Sequence, residues 1–101
     1  MGHLQIKWYK RAESRVYEIH SWYCLNMGQT AANHFYADLL RTAELVAEMP
    51  TIGTPFNVCL NNKYTYYSVS IHPKYRLVYR FTSRTIYIVA IYCTMQRSSQ
   101  L

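Results

Sequence analysis

The spacing of apolar residues changes near the middle of the chain, and this change restricts the fold more than any other feature. Before Pro50 apolar residues recur every three or four positions, whereas after it β-branched and aromatic residues form strand-like runs. The first spacing gives a helix one buried face, and alternation gives a strand one buried face. We therefore predict helices in the first half of the chain and a sheet in the second half.

Two helices are predicted, over Arg11–Met27 and Thr30–Met49. Gly28 lies between them, at a position where a helix commonly ends in a residue of positive φ. Pro50 ends the second helix because proline cannot continue the backbone hydrogen bonds. The short connection predicts an antiparallel hairpin of helices. The two apolar stripes consist of Ala12, Val16, Ile19 and Tyr23, and of Ala32, Phe35, Leu39, Ala43 and Val46.

The remaining pattern predicts an α+β domain in which a strand and two helices precede a three- to four-stranded antiparallel sheet. One domain is expected over residues 1–101, with a polar tail at 94–101. Helices on one side of such a sheet leave its other face open to solvent. The predicted strands are Leu4–Trp8, Phe56–Leu60, Tyr64–Ile71, Tyr75–Phe81 and Thr85–Cys93, with turns or bends at Asn61-Asn62, His72-Pro73 and Thr82–Arg84.

Charge is distributed unequally between the two halves. All five acidic residues lie at or before Glu48 and balance five basic ones, so the whole net charge of +6 comes from the second half. This distribution predicts a sheet that binds a polyanion, although a basic surface that only aids solubility is the alternative. The six basic residues concerned are Lys63, Lys74, Arg76, Arg80, Arg84 and Arg97.

Alternation within Tyr75–Phe81 places Arg76 and Arg80 on the face opposite to the apolar residues. Their separation along a strand is about 13 Å, which would allow each guanidinium to hold one phosphate of a nucleic acid. Two solvated arginines on an exposed face are the alternative. Lys63, Lys74 and Arg84 are further candidate contacts to nucleic acid.

His72 is the candidate proton-transfer group, since an imidazole titrates near neutral pH. A histidine before proline is otherwise an ordinary loop residue. Tyr67 is a candidate platform for stacking a base, and Tyr87 is a second one. The other histidines are scattered, and no carboxylate follows Glu48, so neither a metal nor another cofactor is predicted.

The chain is expected to be cytoplasmic. It contains no apolar run near the ~20 residues that cross a bilayer, and its N-terminus lacks the apolar core of a signal peptide. Three cysteines that lie far apart predict reduced thiols rather than a disulfide framework.

The ordered fragments of the chain resemble the RelE/ParE family of toxins from bacterial type II toxin–antitoxin modules. The resemblance runs over about residues 4–97. Its most specific part is the strand Tyr75-Arg76-Leu77-Val78-Tyr79. The other parts are Ile6–Trp8, Gly28, Ala31-Ala32 with Phe35, Pro50 with Gly53, and Ile86–Ile91.

The resemblance implies a helical hairpin on an antiparallel sheet and a cognate antitoxin that masks the basic face. RelE-like members cleave messenger RNA on the ribosome, and Arg76 occupies the position of an arginine that contacts the scissile region. This activity is the leading expectation, with Arg97 as a candidate because Met95 stands where an arginine is usual. ParE-like members instead block DNA gyrase without being nucleases. A degenerate toxin kept for antitoxin binding is the third possibility.

Overall fold

The computed structural model describes residues 3–56, 64–72 and 74–93, with His72 as backbone only. Two helices and five strands occur in these ranges, and a 3₁₀ turn, Pro50–Ile52, follows the second helix. The strands form one sheet in the order β1-β5-β4-β3-β2. The elements are β1 (Gln5–Trp8), α1 (Lys10–Asn26), α2 (Gln29–Glu48), β2 (Thr54–Pro55), β3 (Tyr67–His72), β4 (Tyr75–Phe81) and β5 (Thr85–Cys93).

Both predicted helices are confirmed, each beginning and ending one residue earlier than expected. All nine residues of the two predicted stripes are buried, and Ala47 joins them. Gly28 has φ of 98° and ψ of 163°, a conformation that side chains other than glycine rarely adopt. Within the described ranges, no helix is long and apolar enough to cross a membrane.

The sheet is antiparallel from β2 to β5, as predicted, whereas β1 adds to the edge of β5 in parallel. Strands β4 and β5 have the predicted bounds. A two-residue strand at Thr54–Pro55 precedes the strand predicted at Phe56–Leu60. Residues 57–60 of that prediction and the Asn61-Asn62 turn lie outside the described residues.

The helices cover one face of the sheet and form the main core with it. Leu39 of α2, Leu77 of β4 and Ile86 of β5 are fully buried there. Aromatic rings close one end of this core, since the Phe35 ring lies 5.6 Å from the ring of Tyr23 and 5.5 Å from that of Tyr75. Such ring contacts add to the free energy gained from burial alone.

The phenol of Tyr79 joins the sheet to the turn that follows α2. Tyr79 Oη donates a hydrogen bond to the Pro50 carbonyl at 2.7 Å and accepts one from the Gly53 N–H at 3.1 Å. A Cβ atom at Gly53 would lie 2.6 Å from Tyr79 Oη and 2.9 Å from the Ser68 carbonyl oxygen. Only glycine therefore allows this close approach, which places β2 beside β3.

Replacing Tyr79 by phenylalanine tests this connection. The Y79F change leaves a backbone donor and a backbone acceptor without their partner, so the free energy of unfolding should fall by about 1–3 kcal/mol. Chemical denaturation measures it. Y17F is the control, because the Tyr17 side chain is 75% exposed and should change stability by less than about 0.5 kcal/mol. Equal stability of the two variants would contradict the proposed connection.

The buried tyrosines predict a loss of stability at alkaline pH. Burial, and next the neighbouring Tyr23, raises the pKa of Tyr75 to about 12 from an ordinary value of 10.0. The unfolded chain therefore loses this proton first, and stability present below about pH 10 should fall as the pH approaches 12. Denaturant unfolding at several pH values measures the slope, which Y75F should reduce. An unchanged slope in Y75F would contradict the assignment.

Candidate functional site

The face opposite to the helices carries a second, smaller core, so it is less open than the sequence predicted. Tyr66, Val78 and Val89 are buried there. Tyr66 belongs to the segment 64–66, which crosses this face before β3 begins, and its carbonyl accepts a hydrogen bond from the Phe56 N–H at 2.8 Å. The surrounding half-buried residues are Tyr9, Phe56, Ala90 and Tyr92. We call this side of the sheet the Arg76 face.

A β-bulge in β5 contacts a further cation, Arg11 of α1. Val78 pairs with Ala90 and Tyr79 with Ile88, so Val89 is the extra residue. The carbonyl of Val89 accepts a hydrogen bond from Arg11 Nε at 3.2 Å. Sequence reasoning missed Arg11, because a bulge in a strand of β-branched residues has no signal in the spacing.

Arg76 lies on this face, as predicted, and its side chain is oriented by hydroxyl groups. Its Nε and Nη2 atoms both donate to Ser68 Oγ, at 3.1 and 3.0 Å, and Nη2 also lies 3.5 Å from Thr54 Oγ1. Ser68 is 3% exposed, whereas Arg76 is half-buried. The hydroxyls therefore fix the guanidinium in a direction towards β2, and neither of them neutralises its charge.

Arg80 lies on the same face but contacts aromatic rings. Its Cζ atom lies 4.0 Å from the ring centres of both Tyr64 and Tyr87, and its Nε donates to the hydroxyl of Tyr9 at 3.1 Å. Tyr87 belongs to β5, and Tyr9 follows β1, so Arg80 leans towards the β1 edge of the sheet. The two guanidinium groups thus lean towards opposite edges of the sheet, and their contacts to two phosphates stay a prediction.

Three further predicted residues lie apart from Arg76. The ammonium group of Lys74 lies 5.9 Å from the ring centre of Trp22 in α1. Arg84 is exposed in the turn between β4 and β5, at the other end of β4 from Lys74. Tyr67 packs on the helix side, where its ring stacks on that of Tyr79 at 5.8 Å. Its ring is therefore placed for packing rather than for stacking a base on the Arg76 face.

Three predicted site residues fall partly or wholly outside the described part of the chain. Lys63 and Arg97 are not described, and of His72 only the backbone in β3 is described. Their proposed roles in binding and catalysis therefore remain predictions from the sequence. The other three histidines are His3, His20 and His34. They precede β2 in the sequence, as do all five Asp and Glu residues.

The assembled site offers positive charge, hydroxyl groups and phenols. On the described part of the Arg76 face, no carboxylate or imidazole accompanies the guanidinium groups. No group of three His, Cys, Asp or Glu side chains in the described ranges could hold a metal ion. This combination suits contact with an anionic surface, because arginine donates several hydrogen bonds in a fixed plane.

Comparison with known proteins agrees with the resemblance found in the sequence. No curated protein matches the chain. A structure titled "Chromosomal ParDE TA system from P. aeruginosa" has a TM-score of 0.72 at 14% identity, covering 90% of this chain and 96% of that one. "The structure of YoeB dimer from Staphylococcus aureus" has a TM-score of 0.47 at 24% identity, covering 91% and 95%.

The family comparison covers nearly the whole described fold. A family model described as "ParE toxin of type II toxin-antitoxin system, parDE" matches residues 6–97. The matched segment begins in β1 and includes both helices and all the remaining strands. The chain therefore belongs to the ParE toxins of type II toxin–antitoxin systems, within the RelE/ParE family.

Proposed function

We propose that this toxin arrests growth by binding DNA gyrase through the Arg76 face. The arrangement of the cations is the observation that carries the proposal. Four of the predicted basic contacts have described side chains, and among these four only Arg76 is oriented by serine and threonine hydroxyls of the sheet. Arg80 is covered by rings, Lys74 faces α1, and Arg84 occupies a distant turn.

The chemistry of the Arg76 face supports binding rather than cleavage. Cleavage of RNA through its 2′-hydroxyl requires a group that removes a proton and a group that protonates the leaving oxygen. The described part of this face supplies guanidinium, hydroxyl and phenol groups but no carboxylate or imidazole, and the guanidinium stays protonated. A protein surface with acidic side chains can instead use Arg76 as it stands, through charge-assisted hydrogen bonds.

A cognate antitoxin is the proposed second partner. The net charge of +6 and the position of Arg76 favour an antitoxin segment with acidic groups that lies across this face. Such a segment would cover Arg76 and exclude the target, so toxicity and antitoxin binding would compete for one surface. The chromosomal ParDE TA system from P. aeruginosa has a structure that shares this fold.

Ribosome-dependent cleavage of messenger RNA is the second candidate function. The observation that favours it is the strand Tyr75–Tyr79, in which Arg76 matches the position that contacts the scissile region in RelE-like toxins. There Arg76 would stabilise negative charge in the transition state. His72 or Arg97 would then have to assist the proton transfer. A degenerate toxin, the third possibility, would bind the antitoxin and have neither activity.

Loss of Arg76 tests the role of this face. When R76A is expressed from an inducible promoter in a bacterial host, it should no longer inhibit growth, because the oriented guanidinium is removed from the binding surface. Arg84→Ala is the matched control, since it removes one positive charge from an exposed turn and should remain toxic. Circular dichroism checks that both variants fold. Full toxicity of R76A would show that the functional surface lies elsewhere.

Mapping of messenger RNA ends separates the two candidate functions. Purified wild-type protein is added to a cell-free translation reaction, and the 5′ ends of the message are sequenced. We expect intact message with continued translation, because the target is not RNA. New ends that require ribosomes and disappear with R76A would overturn the gyrase proposal and establish the nuclease.

A further inference from the structure

We propose that Arg80 is a positioning residue whose planar guanidinium orders the segment 64–66 and so shapes the Arg76 face. The inference concerns stacking rather than charge, and it contradicts the sequence-based role of Arg80 as a phosphate contact. Only its activity measurement rests on the proposed function. Its spectroscopic measurements stand whether or not the target is gyrase.

Arg80 and the rings of Tyr64 and Tyr87 form a cluster that we call the clamp. The ring centres of Tyr64 and Tyr87 each lie 4.0 Å from its Cζ atom. The guanidinium therefore lies over the faces of both phenol rings. With Cζ over both rings and Nε donating to Tyr9 Oη at 3.1 Å, the surroundings of the guanidinium are mainly aromatic.

The clamp connects parts of the chain that are far apart in sequence. Arg80 belongs to β4 and Tyr87 to β5, and Tyr9 is the residue between β1 and α1. Tyr64 is held to this framework through the arginine, although 44% of its surface is exposed. The Tyr64 ring also lies 6.3 Å from that of Tyr66 in an edge-to-face arrangement. Arg80 therefore acts on Tyr66 through Tyr64.

The position of Tyr66 determines what the Arg76 face presents. Tyr66 is 6% exposed and packs with Val78, which lies in β4 between the two arginines. If the clamp is lost, Tyr64 loses a stacking partner and the cover over Val78 weakens. Arg76 keeps its own hydrogen bonds to Ser68, so the defect should appear in the neighbouring surface and not in Arg76 itself.

Lysine at position 80 separates stacking from charge. An ammonium group keeps the positive charge, but it is compact and cannot present two flat sides to two rings. If Arg80 contacts phosphates or acidic groups by charge, R80K should behave as wild type. If it acts as a clamp, R80K should resemble R80M, which keeps the length of the side chain without charge.

Changes at Tyr87 provide the second pair of variants. Y87F keeps the ring and should preserve the clamp, whereas Y87L removes the ring and should release it. Arg84→Lys is the control for an arginine-to-lysine change at an exposed position without a ring contact in the described structure. Thermal unfolding identifies any variant that fails to fold. If the Arg80 variants fail, the comparison of Y87F with Y87L still tests the inference.

The first readout is the NMR signal of the Arg80 Nε–H group in the full chain. Ring currents from two stacked tyrosines should displace this signal upfield, and Y87F should retain the displacement while Y87L loses part of it. Signals of Tyr64 should change in R80K and R80M alike. An Arg80 signal at the position of solvent-exposed arginines, or Tyr64 signals unchanged in R80K, would overturn the inference.

The second readout is growth inhibition. Because a contact of this kind contributes up to a tenfold effect for each ring, Y87L should weaken toxicity by up to about tenfold and R80K and R80M by up to about a hundredfold, with Y87F and R84K unchanged. Full activity of R80K with loss in R80M would overturn the inference in favour of a charge contact. If the NMR shifts are as expected but neither the wild type nor any variant inhibits gyrase, the proposed function is wrong and the inference about Arg80 is still supported.

Discussion

Strand β4 is covered on both faces, and the rest of the structure depends on this double burial. Leu77 and Tyr79 lie beneath the helices, whereas Val78 lies beneath Tyr66 on the other side. The phenol of Tyr79 then reaches the turn after α2, which fixes β2 at one edge of the sheet. Besides Val78, the side chains that this strand presents on the Arg76 face are the two arginines, Arg76 and Arg80.

The two arginines have the same strand and the same face but different surroundings. Arg76 contacts the hydroxyls of β3 and β2, which orient its guanidinium and leave its charge available. Arg80 contacts two rings and a phenol hydroxyl nearer the β1 edge. Among the cations that β4 carries, hydroxyl groups therefore orient one and aromatic rings surround the other. Counting charges along the sequence does not distinguish them.

Most of the fold could be predicted because it follows from periodicity. Helical spacing predicted the buried stripes of α1 and α2, and strand-like runs predicted the bounds of β4 and β5. Both patterns arise because the side chains concerned must face the core. The parallel pairing of β1 with β5 could not be predicted, since alternation in Leu4–Trp8 specifies a buried face and no partner strand. The cover over Val78 was also missed, because it depends on contacts of the segment 64–66 with distant residues. The ring contacts of Arg80 depend on the same segment, so alternation could assign the face of Arg80 but not its surroundings.

The central claim is that the toxin acts by binding a protein target through the Arg76 face. The most direct measurement is supercoiling of relaxed plasmid by purified DNA gyrase in the presence of increasing amounts of the toxin. The wild-type protein and R84A should inhibit supercoiling, and a folded R76A variant should not. Full supercoiling at a toxin concentration that exceeds that of gyrase would contradict the claim.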